Sequence, residues 1–458
     1  MADPANFDIF VIGGGQAGPP LARALAQTDA RVALAERKDL GGSCVNFGCT
    51  PTKAAIASAR VAHLARRGAE YGLRIPTFDV DFAAVIERAR KIAATSRSGL
   101  DRRLEGSDNP KLLRGHAKLD GKQGEAFRIR IGNDAFTARQ VVLDTGTRSA
   151  IPPIPGLNAI NYIHAGNWLD LTTLPKHLAI IGAGAIGLEM SQFYRRMGSE
   201  VTVIEMSDHI AGHEDPDVAQ ALQTLLEAEG IRFHVKTAVA GIETDRGGVS
   251  LRLGQDGSDK LQASHVFVAT GRKPNTDDLG LETVGVTTTK QGIIVVDERL
   301  ATNVKGIWAA GDIRGGPQFT HTAWDDYRVL MSQLRGDGSH TTKRVVPYAI
   351  FTDPELGRVG MTEAEASRAG HSIKIGRFDM GDSGKAYEIG EDKGLIKVVV
   401  DASSNLILGA AVLAVDGGEL VHDYIDLMNA KAPYTVIRDA VYIHPTLAEA
   451  VQSAVSGI

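Results

Sequence analysis

The sequence predicts an α/β protein with two dinucleotide-binding βαβ units and a separate α+β segment towards its C-terminal end. Three observations carry this expectation. A Gly-x-Gly-x-x-Gly motif occurs twice, as Gly13-Gly14-Gly15-Gln16-Ala17-Gly18 and as Gly182-Ala183-Gly184-Ala185-Ile186-Gly187. Each copy follows an apolar run (FDIFVI, HLAII) and precedes a helical one (LARALAQ, LEMSQFYRRMG). Each then returns to a short apolar strand that ends in an acid, RVALAE at Glu36 and EVTVIE at Glu205, both 23 positions after the first glycine. From about Val346, short strands (RVVPYAIF, LIKVVVD, LILGAAVLAV) alternate with helices.

A lone glycine motif is a weak signal. Here strand, motif, helix and terminal acid occur together, and twice, which is the context a dinucleotide fingerprint requires. Gly13, Gly15, Gly18 and Gly182, Gly184, Gly187 permit a tight turn and close approach of a pyrophosphate to the backbone. The helix N-terminus then offers free N–H groups to the anion. Glu36 and Glu205 are the expected acceptors for ribose hydroxyls. An acid repels a 2′-phosphate, and no Arg stands beside Glu205 in EMSDH, so NADH is expected rather than NADPH. Further strand-to-turn segments extend the nucleotide platform. They are VVLDTG with Thr145 and Gly146, VFVATGR with Gly271, and IWAAGD with Asp312.

Bulk properties bound the rest. A chain of 458 residues, 43% hydrophobic and 23% charged, supports two to four domains. Fifty Lys and Arg against 55 Asp and Glu, net charge −5, argue against nucleic acid as the main partner. No apolar run of about 18 residues predicts a membrane span. The N-terminus lacks a basic n-region and a separate apolar h-region, so a cytoplasmic protein is expected. The proline cluster Pro152-Pro153-Ile154-Pro155-Gly156 reads as a linker. The expected domains are residues 1–148, 149–271, 272–344 (a return to the first domain) and 345–458.

The chain has two cysteines, Cys44 and Cys49, both in GGSCVNFGCTPTK. The sequence after Thr50-Pro51-Thr52-Lys53 is helical, so a helix starts near the pair and favours thiolate there. The spacing allows a disulfide if the backbone bends. No further Cys or Cys/His pair completes a zinc site, so no metal is expected. Two inert buried thiols are the plain alternative, but Gly, Asn and Thr neighbours do not make an apolar core site.

GGSCVNFGCTPTK resembles the redox-active segment of the FAD-dependent pyridine nucleotide–disulfide oxidoreductases. Lipoamide dehydrogenase, glutathione reductase and mercuric reductase belong to that family. The resemblance continues in order through both glycine motifs, ATGRKPN at Ala269–Asn275, Gly311-Asp312, and His444-Pro445-Thr446 with Glu449. It is strongest to the mercuric-reductase-like and lipoamide-dehydrogenase-like branch. It implies two Rossmann-like nucleotide-binding domains, for FAD and NAD, plus a C-terminal α+β dimerisation domain, in a homodimer whose subunits share the active site.

The resemblance also implies roles. Glu36 would bind the adenosine ribose of FAD and Asp312 its ribityl chain, with Gly42 and Ser43 also at the cofactor. Cys49 would lie against the flavin and Cys44 would be the outer thiol that attacks substrate. Lys53 would sit near the flavin, paired with Glu189. His444, from the partner subunit, would be the acid/base for the thiols, oriented by Glu449. The implied activity passes electrons from NADH through FAD to the Cys44–Cys49 disulfide, and on to a small disulfide or thiol-reactive oxidant. A dihydrolipoamide dehydrogenase is the alternative; a mercuric-ion reductase or a non-catalytic flavin-binding protein is more remote.

Departures shape that reading. No third cysteine is present to deliver a mercuric ion. Tyr442 stands where lipoamide dehydrogenases usually carry a second histidine, and Phe47 and Thr50 stand where they tend to be aliphatic. Glu205 opposes the NADPH preference of glutathione reductases. Ala185 replaces the bulky residue that gates the nicotinamide pocket in some relatives.

Overall fold

A computed structural model describes residues 5–245 and 247–458. The chain forms two compact units. One comprises residues 1–54, 87–150 and 272–344, the other residues 55–86, 151–271 and 345–458.

The first unit is built on a seven-stranded sheet. Its order is Lys111–Arg114, Val32–Glu36, Ala5–Ile12, Asp134–Leu143, Ala126–Ile131 and Ala117–Gln123, with Ile307–Ala309 also pairing Asp134–Leu143. The pairs around Ala5–Ile12 are parallel, and the last three strands form an antiparallel meander. Alternate residues of a strand point to opposite faces, and both faces are buried here. Phe10 and Ile12 enter one core, Ile9 and Val11 the other; Ala33 and Ala35 separate from Val32 and Leu34 in the same way. That is why these strands read as continuous apolar runs rather than alternating ones.

The second unit repeats the plan with a five-stranded parallel sheet. Its order is Arg232–His234, Glu200–Ile204, His177–Ile181, His265–Val268 and Ile163–His164. A three-stranded antiparallel meander follows Arg232–His234 in sequence. The C-terminal segment adds an antiparallel sheet in the order Pro347–Ile350, Glu355–Gly360, Ile407–Ala414, Leu395–Asp401, Ile373–Asp379. Helix Ala448–Ser456 buries Ala450, Val451, Ala454 and Val455 on one face, in a core with Ile396, Val398 and Val412. Residues 152–156, the expected linker, carry neither helix nor strand.

A buried ion network ties this unit together. Arg196, with 4% of its side chain exposed, bonds Glu229 at 2.7 and 2.8 Å and Asp353 at 2.6 Å. Arg60 pairs with the same Asp353, and Arg66 donates to the Arg196 carbonyl at 2.6 Å. Removing one partner of a buried pair leaves an uncompensated charge. Arg196→Ala is therefore expected to cost about 3–5 kcal/mol, read as a lower denaturant midpoint.

Candidate active site

The two fingerprints repeat each other in atomic detail. In the first, Glu36 Oε2 accepts the Gly14 N–H at 2.8 Å and Oε1 accepts that of Lys38 at 2.7 Å. In the second, Glu205 Oε2 accepts the Ala183 N–H at 2.7 Å and Oε1 that of Ser207 at 2.8 Å. Burial would raise the Glu205 carboxyl, but these backbone donors outweigh it and hold it below the ordinary carboxylate range. Gly13 and Gly182 have φ of 115° and 105°. A Cβ on either would lie 2.1 or 2.5 Å from a carbonyl oxygen, so only glycine fits. A Cβ on Gly184 would meet nothing within 4 Å, which leaves that face of the loop open to an approaching pyrophosphate.

The redox segment is fastened to the first fingerprint. Gly41 N–H donates to the Gly14 carbonyl at 2.7 Å, and Gln16 Nε2 donates to the Gly41 carbonyl at 2.7 Å. A Cβ on Gly42 would come within 3.1 Å of Gly15 Cα. A short helix, Gly42–Asn46, carries Ser43 and Cys44, and Asn46 Nδ2 ties it to the carbonyls of Leu40 and Gly42 at 3.0 and 2.9 Å. The chain then reverses at Phe47-Gly48, whose amides both donate to the Ser43 carbonyl, at 3.1 and 2.6 Å. Cys49 is the first residue of the next helix, Cys49–Arg66. This turn brings the thiols together.

No disulfide joins them. Cys49 is exposed and Cys44 half-buried. The hydrogen bond to Cys49, then burial, push the Cys44 thiol far above its ordinary range, while Thr320 and Lys53 pull the other way. Thr320 Oγ1, at the start of helix Thr320–Arg335, also lies 3.3 Å from Cys49 Sγ. Lys53 stands one turn after Cys49 on the same helix.

Around Ser43 a polar cluster forms. Arg272 Nη2 reaches Ser43 Oγ at 3.4 Å, and its Nε reaches Thr147 Oγ1 at 2.6 Å. Thr147 in turn donates to Asp312 Oδ2 at 2.8 Å. Thr145 and Gly146 are zipped to Asn275: Thr145 Oγ1 donates to its carbonyl at 2.9 Å, and the Asn275 N–H donates to Gly146 O at 2.9 Å. The sequence reading missed Thr147, Arg272, Asn46 and Thr320. Arg272 and Asn275 lie within the ATGRKPN segment and were open to discovery; Thr320 carried no local signal.

In the second unit Gly182 and Gly184 lead into helix Ala185–Met197, which carries Gly187 in its first turn. Glu189 on that helix is 5% exposed and accepts the Phe351 N–H at 3.1 Å. Gly271, with φ of 106°, ends the strand-to-turn segment after Val268. His444 and Glu449 lie in the same unit. His444 Nδ1 is 3.1 Å from Glu449 Oε1, and the Thr446 N–H donates to Oε2 at 2.8 Å. The Thr446 amide and then His444 hold the Glu449 carboxyl below its ordinary range. The His444 side chain is 79% exposed, its bond to Pro445 is cis, and the flanking Val441 and Ile443 are exposed as well. Tyr442 is hydrogen-bonded to Asp423; burial first and that carboxylate second push its hydroxyl up to about 12.

The family model for pyridine nucleotide-disulphide oxidoreductases matches residues 7–326, and that for the dimerisation domain of the same family matches residues 346–455. The chain belongs to the pyridine nucleotide-disulphide oxidoreductases. It is 33% identical over 463 residues to a dihydrolipoyl dehydrogenase of Cupriavidus necator, covering 98% of this chain and 97% of that one. It is 31% identical over 456 residues to the probable pyridine nucleotide-disulfide oxidoreductase RclA of Escherichia coli, covering 98% and 99%. A Cu(II) complex of that flavoprotein disulfide reductase, described as HOCl-induced, matches with a TM-score of 0.89 at 31% identity, covering 98% and 99% of the chains.

As a pyridine nucleotide-disulphide oxidoreductase the protein uses FAD and NAD(H) and acts on sulfur groups, and its dimerisation domain supports a homodimer. The residues present fit both nucleotides, since each unit offers a glycine turn, a helix N-terminus and an acid whose carboxylate is preset by two amides. Among the described residues, no helix is long and apolar enough to cross a membrane, and no group of three or more His, Cys, Asp or Glu could hold a metal ion.

Proposed function

We propose that this pyridine nucleotide-disulphide oxidoreductase is an NADH-dependent disulfide reductase, whose Cys44–Cys49 pair reduces a small disulfide or another thiol-reactive oxidant. The observation that carries this reading is the thiol pair, turned together by Gly48 and hydrogen-bonded to each other at the start of a helix. Bound FAD supplies a two-electron carrier between nicotinamide and sulfur. The residues around it bind and position. Gly13, Gly15 and Gly18 take the pyrophosphate and Glu36 the ribose, while Gly42, Ser43, Thr145, Gly146 and Asp312 hold the remainder. Gly182, Gly184, Gly187, Gly271 and Glu205 serve NADH. Lys53 places positive charge beside the flavin.

Cys44 is the attacking thiol. Its raised proton affinity makes it a poor nucleophile unaided, because the thiolate is the reactive form. A base must take the proton, and we assign His444 of a second copy to that task. Glu449 accepts from Nδ1, which leaves Nε2 for sulfur. Cys44 then attacks one sulfur of the acceptor disulfide, forming a mixed disulfide and expelling a thiolate that His444 protonates. Cys49 attacks Cys44 next, re-forming their disulfide and releasing the second thiol. Such cycling suits a reducing cytoplasm.

NADH is preferred because Glu205, held ionised by its backbone donors, repels a 2′-phosphate. Glu205→Ala is expected to lower the NADH-to-NADPH ratio of kcat/KM by about tenfold or more, equivalent to about 1.4 kcal/mol. Steady-state kinetics with both nucleotides measure it.

The similarity to dihydrolipoyl dehydrogenase favours a second reading, in which the same steps run towards NAD reduction. Rates of NADH oxidation with lipoamide, glutathione disulfide, mercuric ion, hypothiocyanous acid and a cupric salt decide between them. The proposal expects a small oxidant to outpace lipoamide; lipoamide turnover far above all others transfers the protein to the second reading. Equal, slow rates that persist in Cys44→Ser reject both.

A further inference from the structure

The two fingerprints match until the strand that closes each one. In the second unit His265–Val268 runs into Ala269, Thr270 and Gly271; in the first, Asp134–Leu143 runs into Asp144, Thr145 and Gly146. Contacts fix the equivalence. A Cβ on Gly13 would lie 2.1 Å from the Asp144 carbonyl oxygen, and one on Gly182 would lie 2.5 Å from that of Ala269. A Cβ on Gly18 would lie 3.2 Å from Asp144 Oδ2, and one on Gly187 would lie 3.5 Å from Ala269 Cβ. A methyl group in the NAD unit is thus a carboxyl group in the FAD unit.

Asp144 is 5% exposed, and its Oδ2 accepts the N–H of Gly18, the first residue of helix Gly18–Leu25, at 2.8 Å. Two further acids lie near it. Asp312 pairs with Arg272 at 3.5 Å, and Asp326 is held by Arg314 at 2.8 Å and Arg344 at 2.6 Å. Glu36 lies against the same loop, on the Gly14 amide. Burial raises the Asp144 carboxyl well above its usual range, the Gly18 amide opposes this, and Asp312 and Asp326 add to the rise. The amides at this helix end are the ones the fold offers to a pyrophosphate. An ionised Asp144 would repel that anion; a neutral carboxyl can still accept the Gly18 N–H without doing so.

We propose that Asp144 is a positioning residue of the FAD site that works as the neutral acid, holding the Gly18 amide while FAD is bound, and that its ionisation loosens FAD. The sign follows. FAD is held best at pH values where Asp144 keeps its proton. Its dissociation constant then rises with pH once Asp144 ionises in the FAD-free protein, by up to about tenfold per pH unit for one proton. Asparagine keeps an acceptor and cannot ionise.

The test is reconstitution of the FAD-free dimer with FAD, followed by flavin fluorescence from pH 6 to 10, for the wild type, Asp144→Asn and Ala269→Asp. The ratio of wild-type to Asp144→Asn dissociation constants should climb with pH, whereas a ratio constant across the range overturns the proposal. Ala269→Asp should import the effect into the NAD unit, weakening NADH binding increasingly as pH rises, as read by equilibrium dialysis. Should Asp144→Asn fail to fold, a pH-independent NADH affinity in Ala269→Asp overturns the proposal by itself.

Discussion

Cys44→Ser is expected to lower turnover with every disulfide or oxidant acceptor by a factor of about 10³ or more, because the attacking sulfur is gone and Cys49 cannot form a disulfide alone. FAD content should be unchanged. Neither the glycine turn at Gly13 nor the Ser43–Arg272–Thr147–Asp312 cluster depends on the Cys44 sulfur. NADH should still reduce the flavin in a single-turnover experiment. A reductive titration should show the variant taking up one electron pair per subunit fewer than the wild type, since the disulfide is lost as an acceptor. Equal uptake by the two proteins would remove the pair from the electron path.

The second large effect is expected at His444. Its ring is exposed and makes its hydrogen bond to Glu449, so His444→Gln should leave the thermal midpoint nearly unchanged. Acceptor kcat/KM should nonetheless fall by roughly 10²–10⁴, the usual contribution of a positioned general acid–base. Glu449→Gln should act through the ring, with a smaller loss of about tenfold, because the amide can still meet Nδ1 but no longer favours the imidazolium. Mixing His444→Gln with Cys44→Ser subunits gives a sharper check. Heterodimers should regain one of two active sites if His444 serves the thiols of the other subunit, and stay inactive if it serves its own.

Much of this molecule was legible in the sequence because its recurring device is local. A glycine turn, a helix and a returning acid lie within 23 positions directly after a strand, and the physics of anion binding at a helix end leaves few alternatives to that order. The α/β class followed from two such units, and FAD from the family resemblance that the motifs carry in order. Gly41, Gly42 and Gly48 were visible as residues but not as geometry. That Gly48 folds Cys49 back onto Cys44 depends on a carbonyl at Ser43, which no spacing rule supplies.

What the sequence determined by itself is the set of parts: two nucleotide fingerprints, one thiol pair and one histidine–glutamate dyad. The fingerprints and the thiol pair rest on short-range rules of turn, helix end and spacing, and the dyad on the family resemblance. The tertiary structure alone decided how those parts are held. Arg272 meets Ser43, and Thr147 meets both Arg272 and Asp312, only because chain segments more than a hundred residues apart enter one unit. Asp144 becomes a buried carboxyl facing Gly18 only because the strand Asp134–Leu143 closes against Ala5–Ile12. Burial and charge are sums over neighbours from distant segments, and a linear pattern does not contain those sums.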